Sequence, residues 1–477
     1  MLRRIVERLG LAAGADMARL GRDAGKLFAA NLGVALLGLF QAGLLTRALG
    51  IGGYGRLALV LAFGGVMTRF LSVGLADLVV RYLGEWYGRG SARAAALLRL
   101  AQCIALANAL LLFGIVFAAA PLVARWVVQD PAATPALRVW AVGVAVLSTS
   151  ETWLAVLRVR GRYGDISRAR IVESAAKVAA IWTVLRFTSD LAAVMGALVG
   201  AAAVGSLLVH VAGYRAVRAV GPFLRAPLAP LAASRAAMMT LLRNMWWGST
   251  IKTAATELDQ IFLGLLASPE VVGLYRLCLQ LVGLIGMLRG PVTEVAYPAV
   301  VRKVVGGDRA EARAYLRTLS LVFGGFAACI GVVAFMAAPF LVRTIAGPAF
   351  APSATGFRIM IWADVVTLAV VWRQALAVGL DRSRILPYSW LATAVVWYGA
   401  APLLVPRYGF PAAAALYAVS RLASHGLFLW MLRGALDGPG PGPRREEPRP
   451  GVVPLPGPLA IDPPESLLAH PGARSTP

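Results

Sequence analysis

The sequence predicts an all-α integral membrane protein, with about twelve transmembrane helices in two six-helix lobes, and three observations carry that prediction. Hydrophobic residues fill 59% of the 477 positions and charged residues 15%, with a mean hydropathy of +0.71. That balance leaves too little polar surface for a water-soluble fold. The apolar residues fall in runs of about twenty, enough to cross a hydrocarbon core of roughly 30 Å as helices, and they lack the alternation of a β-barrel. Backbone polar groups in lipid then require a helical bundle. Finally, two stretches at corresponding places match faintly. Residues 46–57 and 257–277 each close one apolar segment and open the next, and laying Gly53 on Gly273 puts Arg56 on Arg276 and Leu57 on Leu277. A weak match between corresponding hairpins is the residue of a duplicated membrane bundle.

The chain begins with a polar, basic segment, residues 1–26, in which Leu2, Ile5, Val6 and Leu9 recur at helical spacing. It reads as an amphipathic helix on the cytoplasmic surface. The Arg, Glu and Asp scattered through it interrupt any signal-peptide core. Twelve spans follow, at roughly 27–47, 56–80, 95–119, 137–158, 167–187, 191–213, 243–265, 271–299, 316–342, 355–379, 385–405 and 409–432. The first six form one lobe, 27–213. The loop 214–242, with Pro222, Pro227 and Pro230 and no acid, reads as a cytoplasmic linker, and 243–432 form the second lobe. Residues 433–477 are too rich in Pro and Gly to pack and are expected to be disordered.

The net charge of +24 would point to nucleic acid in a soluble protein, but here the basic residues gather in alternate loops. Arg81, Arg89, Arg93 and Arg99 lie on the side of the N-terminus, as do five arginines between Arg158 and Arg170, five between Arg215 and Arg243, and the group from Arg302 to Arg317. Far fewer occupy the opposite loops. The positive-inside rule then places both termini in the cytoplasm, and no nucleic-acid partner is expected. Cys103, Cys278 and Cys329 fall in apolar segments without metal-ligand spacing, and no cofactor is called for.

Gly196-xxx-Gly200 in span six suggests close helix packing. Gly64-Gly65, Gly290-Pro291 and Gly324-Gly325 are candidate kinks. Each ionisable side chain at mid-bilayer costs about 2.5–3.5 kcal/mol, so those present need a reason. Arg69, Lys177, Lys252, Arg276, Arg289, Arg373 and Arg421 are the basic ones. Asp77, Glu151, Glu173, Glu257, Asp259, Glu294 and Asp364 are the acidic ones. Helical spacing suggests three pairs: Glu173 with Lys177, Asp77 with Arg81, and Lys252 with Asp259 two turns away.

Arg69, Arg289 and Arg421 have no partner in their own helix. They, with Lys252, are the candidate contacts to an anionic group such as phosphate, which Arg grips bidentately. The competing reading is an interhelical pair, for example Arg421 with Asp364. Glu151, as a buried carboxylate, and Glu257 and Asp259 are candidates for ion coupling. The three histidines are scattered, with His425 read as packed or pore-lining. No phosphate loop, nucleophile elbow or metal cluster marks an enzyme.

The run Thr46-Arg47-Ala48-Leu49-Gly50 with Gly53-Tyr54-Gly55, then Gly74-Leu75 and Arg81-Tyr82-Leu83-Gly84-Glu85, resembles the first two helices of bacterial polysaccharide-unit flippases, of the multidrug/oligosaccharidyl-lipid/polysaccharide exporter superfamily. The second hairpin is similar to theirs in Asp259, Leu263-Gly264, Pro269-Glu270-Val271-Val272-Gly273 and Tyr275, as is the end of span four from Leu157-Arg158 to Arg162-Tyr163. The resemblance covers about residues 20–432. It implies two lobes set in a V around a cationic cavity in the bacterial cytoplasmic (inner) membrane. It also implies translocation of undecaprenyl-diphosphate-linked oligosaccharide by alternating access, beside membrane lipids and the polysaccharide biosynthesis machinery. It assigns no binding residue, because the family shares few. A drug or cation exporter of the same superfamily is the alternative and predicts an acidic or aromatic cavity. A membrane polysaccharide polymerase or ligase would need a large polar outward loop, and the short loops here argue against it.

Overall fold

The computed structural model describes residues 15–87, 91–287, 289–305, 309–382 and 384–433. The proposed surface segment falls partly, and the Pro-rich tail almost wholly, outside these residues. The described residues are helical and contain no strand. The first lobe comprises α1 (Ala15–Phe70), α2 (Leu75–Trp86), α3 (Ser91–Trp126), α4 (Thr134–Val159), α5 (Tyr163–Leu185) and α6 (Leu191–Ala216). The second comprises α7 (Arg235–Thr256), α8 (Asp259–Leu266), α9 (Pro269–Gly286), α10 (Arg289–Val305), α11 (Arg309–Ala346), α12 (Ser353–Ala369), α13 (Arg373–Gly379), α14 (Ile385–Tyr408) and α15 (Phe410–Met431). Among the described residues, nine segments are long and apolar enough to cross a membrane. Reading α1 as two crossings and adding the more charged α5 and α7–α8 gives the twelve.

Four of those crossings are broken, where the sequence reading had continuous helices. Span two stops at Phe70 and resumes at Leu75 after Gly74, whose φ of 70° suits only glycine without strain. Span seven breaks between Thr256 and Asp259, span eight between Gly286 and Arg289, and span ten between Ala369 and Arg373. The expected kinks at Gly64-Gly65 and Gly324-Gly325 are not breaks, since α1 and α11 run through them. Gly64 instead admits the Trp140 indole, and Gly324 admits Ala369. Nor does Gly196-xxx-Gly200 mediate close packing, because no heavy atom lies within 4 Å of a Cβ at either position. On the same helix Gly205 does that work, against Glu173. The helix preceding Gly50 begins at Ala15, so no boundary separates residue 26 from the first span.

The two matched hairpins meet. Gly50 turns α1 with a φ of 67°, and the second hairpin turns through extended Ala267 and Ser268 before Pro269 opens α9, the position where its missing N–H costs nothing. The chains then cross backbone to backbone. A Cβ on Gly55 would run into the Pro269 carbonyl, and one on Gly273 into the Ile51 carbonyl. Around this crossing Arg56 pairs with Asp130 at 3.3 Å, and Gln129 donates to the carbonyls of Gly264 (2.9 Å) and Ala267 (3.2 Å). Arg47 donates to the Thr344 carbonyl. The bonds of Gln129 and Arg47 join one lobe to the other at the end of the bundle that holds the loops after spans one, three, seven and nine, and the Arg56–Asp130 pair braces the first lobe beside them. Further from the crossing, Arg69 of the first lobe pairs with Glu257 of the second, and the Trp246 indole of α7 donates to the Phe70 carbonyl.

The segment between the lobes forms three short 3-10 turns, Arg218–Val220, Phe223–Arg225 and Ala229–Ser234. It lies against the first lobe. Phe223 is buried, and Arg99 donates to the Ala226 carbonyl at 2.7 Å.

Candidate functional site

The break in span seven places the chemistry of the second lobe. Asp259 opens α8, with Oδ1 accepting from the Gln260 amide at 2.9 Å and Oδ2 from the Tyr275 hydroxyl at 2.7 Å. Its side chain is buried. The next residue repeats the pattern, as Gln260 Oε1 accepts from Arg276 at 3.4 Å. Consecutive residues of α8 thus rest on consecutive residues of α9. The restart of the helix also overturns the expected Lys252–Asp259 pair. The continuous register that would align them ends at Thr256, and Lys252 is exposed on α7 without an ion pair.

From Tyr275 the polar chain continues across the lobe. Its ring packs against that of Tyr417 with centroids 6.3 Å apart, and the Tyr417 hydroxyl donates to Asp364 Oδ2 at 2.8 Å. Arg421, one turn further along α15, lies over the Tyr417 ring at 4.2 Å. The expected alternative of a direct Arg421–Asp364 pair is not formed; the tyrosine stands between them, satisfying the acid with its hydroxyl and the cation with its ring face. One more turn on, buried His425 accepts at Nδ1 from Arg373 (2.8 Å) and reaches Thr367 Oγ1 with Nε2 (2.8 Å). Arg373 has only donors, and the Thr367 hydroxyl is itself spent on the Ala363 carbonyl, so this histidine is the neutral tautomer with its proton on Nε2. His425 is the packed group the sequence suggested.

Arg373 is a site the sequence reading left aside. It begins α13 directly after the break in span ten, and no ion pair reaches it among the described residues. Arg289 begins α10 after the break in span eight, is exposed, and likewise has no ion pair. Arg289 and Arg421 are near enough to act electrostatically on Arg373. Three guanidinium groups therefore share one region of the second lobe. Two of the four helix restarts, those of spans eight and ten, open on an arginine.

The remaining sequence candidates fall elsewhere. Arg69 is not alone: its Nε lies 2.6 Å from Glu257 Oε2, a pair that bridges the lobes. Beside it the Trp246 indole donates to the Phe70 carbonyl at 2.8 Å. Glu151 is exposed, contrary to the expected burial, and lies in the field of Arg158 and Arg69. Glu173 and Lys177 pair at 2.6 Å as expected. Asp77 and Arg81 do not, and Arg81 lies over the Tyr82 ring at 5.5 Å instead. Glu294 has a side chain outside what is described. No group of three metal-ligating residues occurs among the described residues.

Two cavities accompany these groups. A groove of about 570 Å³ between α7–α8 and α14, lined by Ile251, Leu258, Phe262, Leu391 and Tyr398 among others, contains no charged residue. A smaller one of about 300 Å³ lies between the lobes just past the hairpin crossing, and Arg276 projects into it.

The fold is that of transporters. The structure matches an inward-facing multidrug resistance MATE family transporter of the MOP superfamily at 14% identity (TM-score 0.66, covering 86% of this chain and 95% of that one). It matches the lipid II flippase MurJ, in an inward closed conformation, at 10% identity (TM-score 0.65, 85% and 87%). A MOP superfamily transporter from Pyrococcus furiosus matches at 14% identity (TM-score 0.62, 87% and 96%). A search of curated proteins returns no match. The sequence profile of the polysaccharide biosynthesis protein family matches residues 20–303, more than half of the sequence. With a duplicated hairpin, two helical lobes and that match together, the chain belongs to the polysaccharide biosynthesis protein family.

Proposed function

We propose that the protein is a flippase that moves undecaprenyl-diphosphate-linked oligosaccharide across the bacterial cytoplasmic membrane by alternating access, without chemistry on its substrate. The observation that carries this is the set of three arginines, Arg289, Arg373 and Arg421, with no ion pair among the described residues. Cations kept in a bundle at that cost are ligands for an anion that comes and goes, and a diphosphate matches several guanidinium groups at once. Of the anion contacts expected from sequence, Arg289 and Arg421 belong to this group. Lys252 stands exposed on α7 as a possible contact on the way in. Arg69 is released to the substrate only when its pair with Glu257 opens.

The positive-inside rule supports the direction. With both termini cytoplasmic on this reading, the hairpin crossing lies at the outer end, and the Arg69–Glu257 and Trp246–Phe70 contacts are the ones that part toward the leaflet where the lipid-linked sugar is made. The polyprenyl tail stays in lipid while the head crosses. Asp259 and Glu257 sit at the break of span seven, so protonation or cation binding there would act on the element that must move, with Glu151 exposed in the field of Arg69. Expression in a strain lacking its own flippase tests the reading, with restored surface polysaccharide as the expected result. Wild-type protein that inserts normally and restores none would refute it.

A cation exporter of the same superfamily is the second reading. What favours it is the pair of carboxylates Asp259 and Asp364 among the rings of Tyr275, Trp397 and Tyr417. Efflux of a cationic dye, lost in Asp364→Asn and kept in Arg289→Gln, would decide for it.

A further inference from the structure

The cavity of about 300 Å³ beneath the hairpin crossing is built from both lobes. Gly38, Gln41 and Tyr54 come from α1, and Arg276 and Gln280 from α9. Its polar walls are set by their own bonds. Gln280 donates to the Gly38 carbonyl at 2.8 Å and accepts from the Tyr54 hydroxyl at 3.0 Å, which fixes which end of its amide is oxygen. Gln41 makes no hydrogen bond among the described residues, so its amide is available as both donor and acceptor. Arg276 is held at its base by the ladder that seats Asp259–Gln260 on Tyr275–Arg276. Of its five N–H groups one makes a long bond of 3.4 Å to Gln260 and another faces the Tyr54 oxygen, which leaves the remaining donors for a ligand. No ion pair to Arg276 occurs among the described residues.

From this we infer that the cavity is a subsite for one sugar ring bearing a carboxylate, a uronic acid of the transported oligosaccharide. The inference rests on the flippase reading and narrows its substrate class. A planar guanidinium with free donors matches a carboxylate bidentately. The Gln41 amide can both donate and accept, and Gln280 keeps one N–H beyond its bond to Gly38, which is what ring hydroxyls require. The volume lies at the lower end of small-molecule sites, room for a single ring and not an extended chain. The diphosphate is the poorer fit here: one guanidinium meets one charge, and three are grouped elsewhere.

The same geometry makes the subsite conditional. Gln41 and Tyr54 belong to one lobe and Arg276 and Gln280 to the other, with Gly55 and Gly273 touching just above them. When the crossing opens, the subsite is divided, so affinity is high while the outer end is shut and falls as it opens. Release to the outside then needs no separate trigger.

The test uses the full chain in nanodiscs and two synthetic probes, undecaprenyl-diphosphate disaccharides that end in glucuronate or in glucose, with retention of each measured. Wild type is expected to hold the glucuronate probe about tenfold more tightly, the scale of one charge-assisted hydrogen-bonded contact. Arg276→Gln removes that preference while leaving the glucose probe as before, and Arg276→Lys, the variant that preserves the charge, keeps part of it. Equal retention of the two probes by wild type overturns the subsite and leaves the flippase reading standing, as does an Arg276→Gln variant that weakens both probes alike. Retention of neither probe by wild type overturns the flippase reading and the subsite with it.

Discussion

The two lobes share an architecture and differ in what they do with polar groups. In the first, several interior polar side chains are satisfied by neighbours within the same lobe. Glu173 takes Lys177 one turn away, Ser150 and Ser206 share a proton at 2.7 Å, and His210 turns back on the Ser206 carbonyl at 2.7 Å. In the second, the buried acids Asp259 and Asp364 are held by tyrosines and not by cations, which leaves nearby arginines without counter-ions. An ion pair across the second lobe would neutralise a site that has to receive a charge. Using tyrosine as the partner of Asp259 and Asp364 satisfies both carboxylates while sparing Arg289, Arg373 and Arg421. On the flippase reading proposed above, the two copies share a scaffold and the second carries most of the binding chemistry.

The sharpest way to break the comparison is at the hairpin crossing, where the copies meet backbone to backbone. Gly55→Leu and Gly273→Leu force a side chain into opposing backbone, which cannot rotate aside as a side-chain tip would. Each should disfavour the sealed state by about 3 kcal/mol or more, roughly a hundredfold in the closed-to-open ratio. Gly65→Leu on the same span meets nothing within 4 Å and should leave transport unchanged. The measurement is uptake of labelled lipid-linked oligosaccharide into proteoliposomes. Equal activity of all three variants would show that the crossing is not a seal.

Next in size come the unpaired cations. Arg289→Gln and Arg421→Gln should each lower transport about ten- to a hundredfold at sub-saturating substrate, the loss of one charge-assisted contact. Saturating substrate should restore much of the rate. If both variants transport at the wild-type rate across the concentration range, the arginines serve packing and the anion site lies elsewhere.

Below these stands the support of the site. Tyr275→Phe leaves one oxygen of buried Asp259 without its donor and should cost about 1–3 kcal/mol of stability. That loss should be visible as a lower melting temperature in detergent and partly rescued by Asp259→Asn in the same chain. A Tyr275→Phe protein that melts with the wild type would remove the claim that this hydrogen bond positions the break.

Much of this was legible in the sequence, and the boundary has a physical cause. Long apolar runs and alternate basic loops report the solvent on each side of a helix, so spans and lobes can be read from them. The Glu173–Lys177 pair could be read because one helix fixes it. The Lys252–Asp259 pair failed because periodicity carries across a break that leaves no trace in hydropathy, and Asp77–Arg81 failed although its register held. Arg69 found its acid on the other lobe, a distance no local spacing encodes. Arg373 was not placed among the anion contacts for the same reason, since its partner His425 stands on another helix, α15. Gly196-xxx-Gly200 carried the motif for close packing but not the contact, which belongs to Gly205, because the motif specifies a face and not what stands opposite it.

The smallest effect tests the other half of the comparison. If the first lobe's interior charges are structural, replacing both members of the Glu173–Lys177 pair should matter little, even though each sits where a transporter's coupling residue might be sought. In Glu173→Gln with Lys177→Met the pair is lost without stranding either charge. The expected cost is about 0.5 kcal/mol, the worth of a single i,i+4 pair, with transport unchanged. Glu173→Gln alone should cost more than the double variant, because Lys177 then stays behind without its acid. Melting curves of the three proteins, read beside uptake rates, give the ordering directly. A double variant that keeps its stability but loses transport would move functional chemistry into the first lobe, and the division of labour between the two copies would then fail.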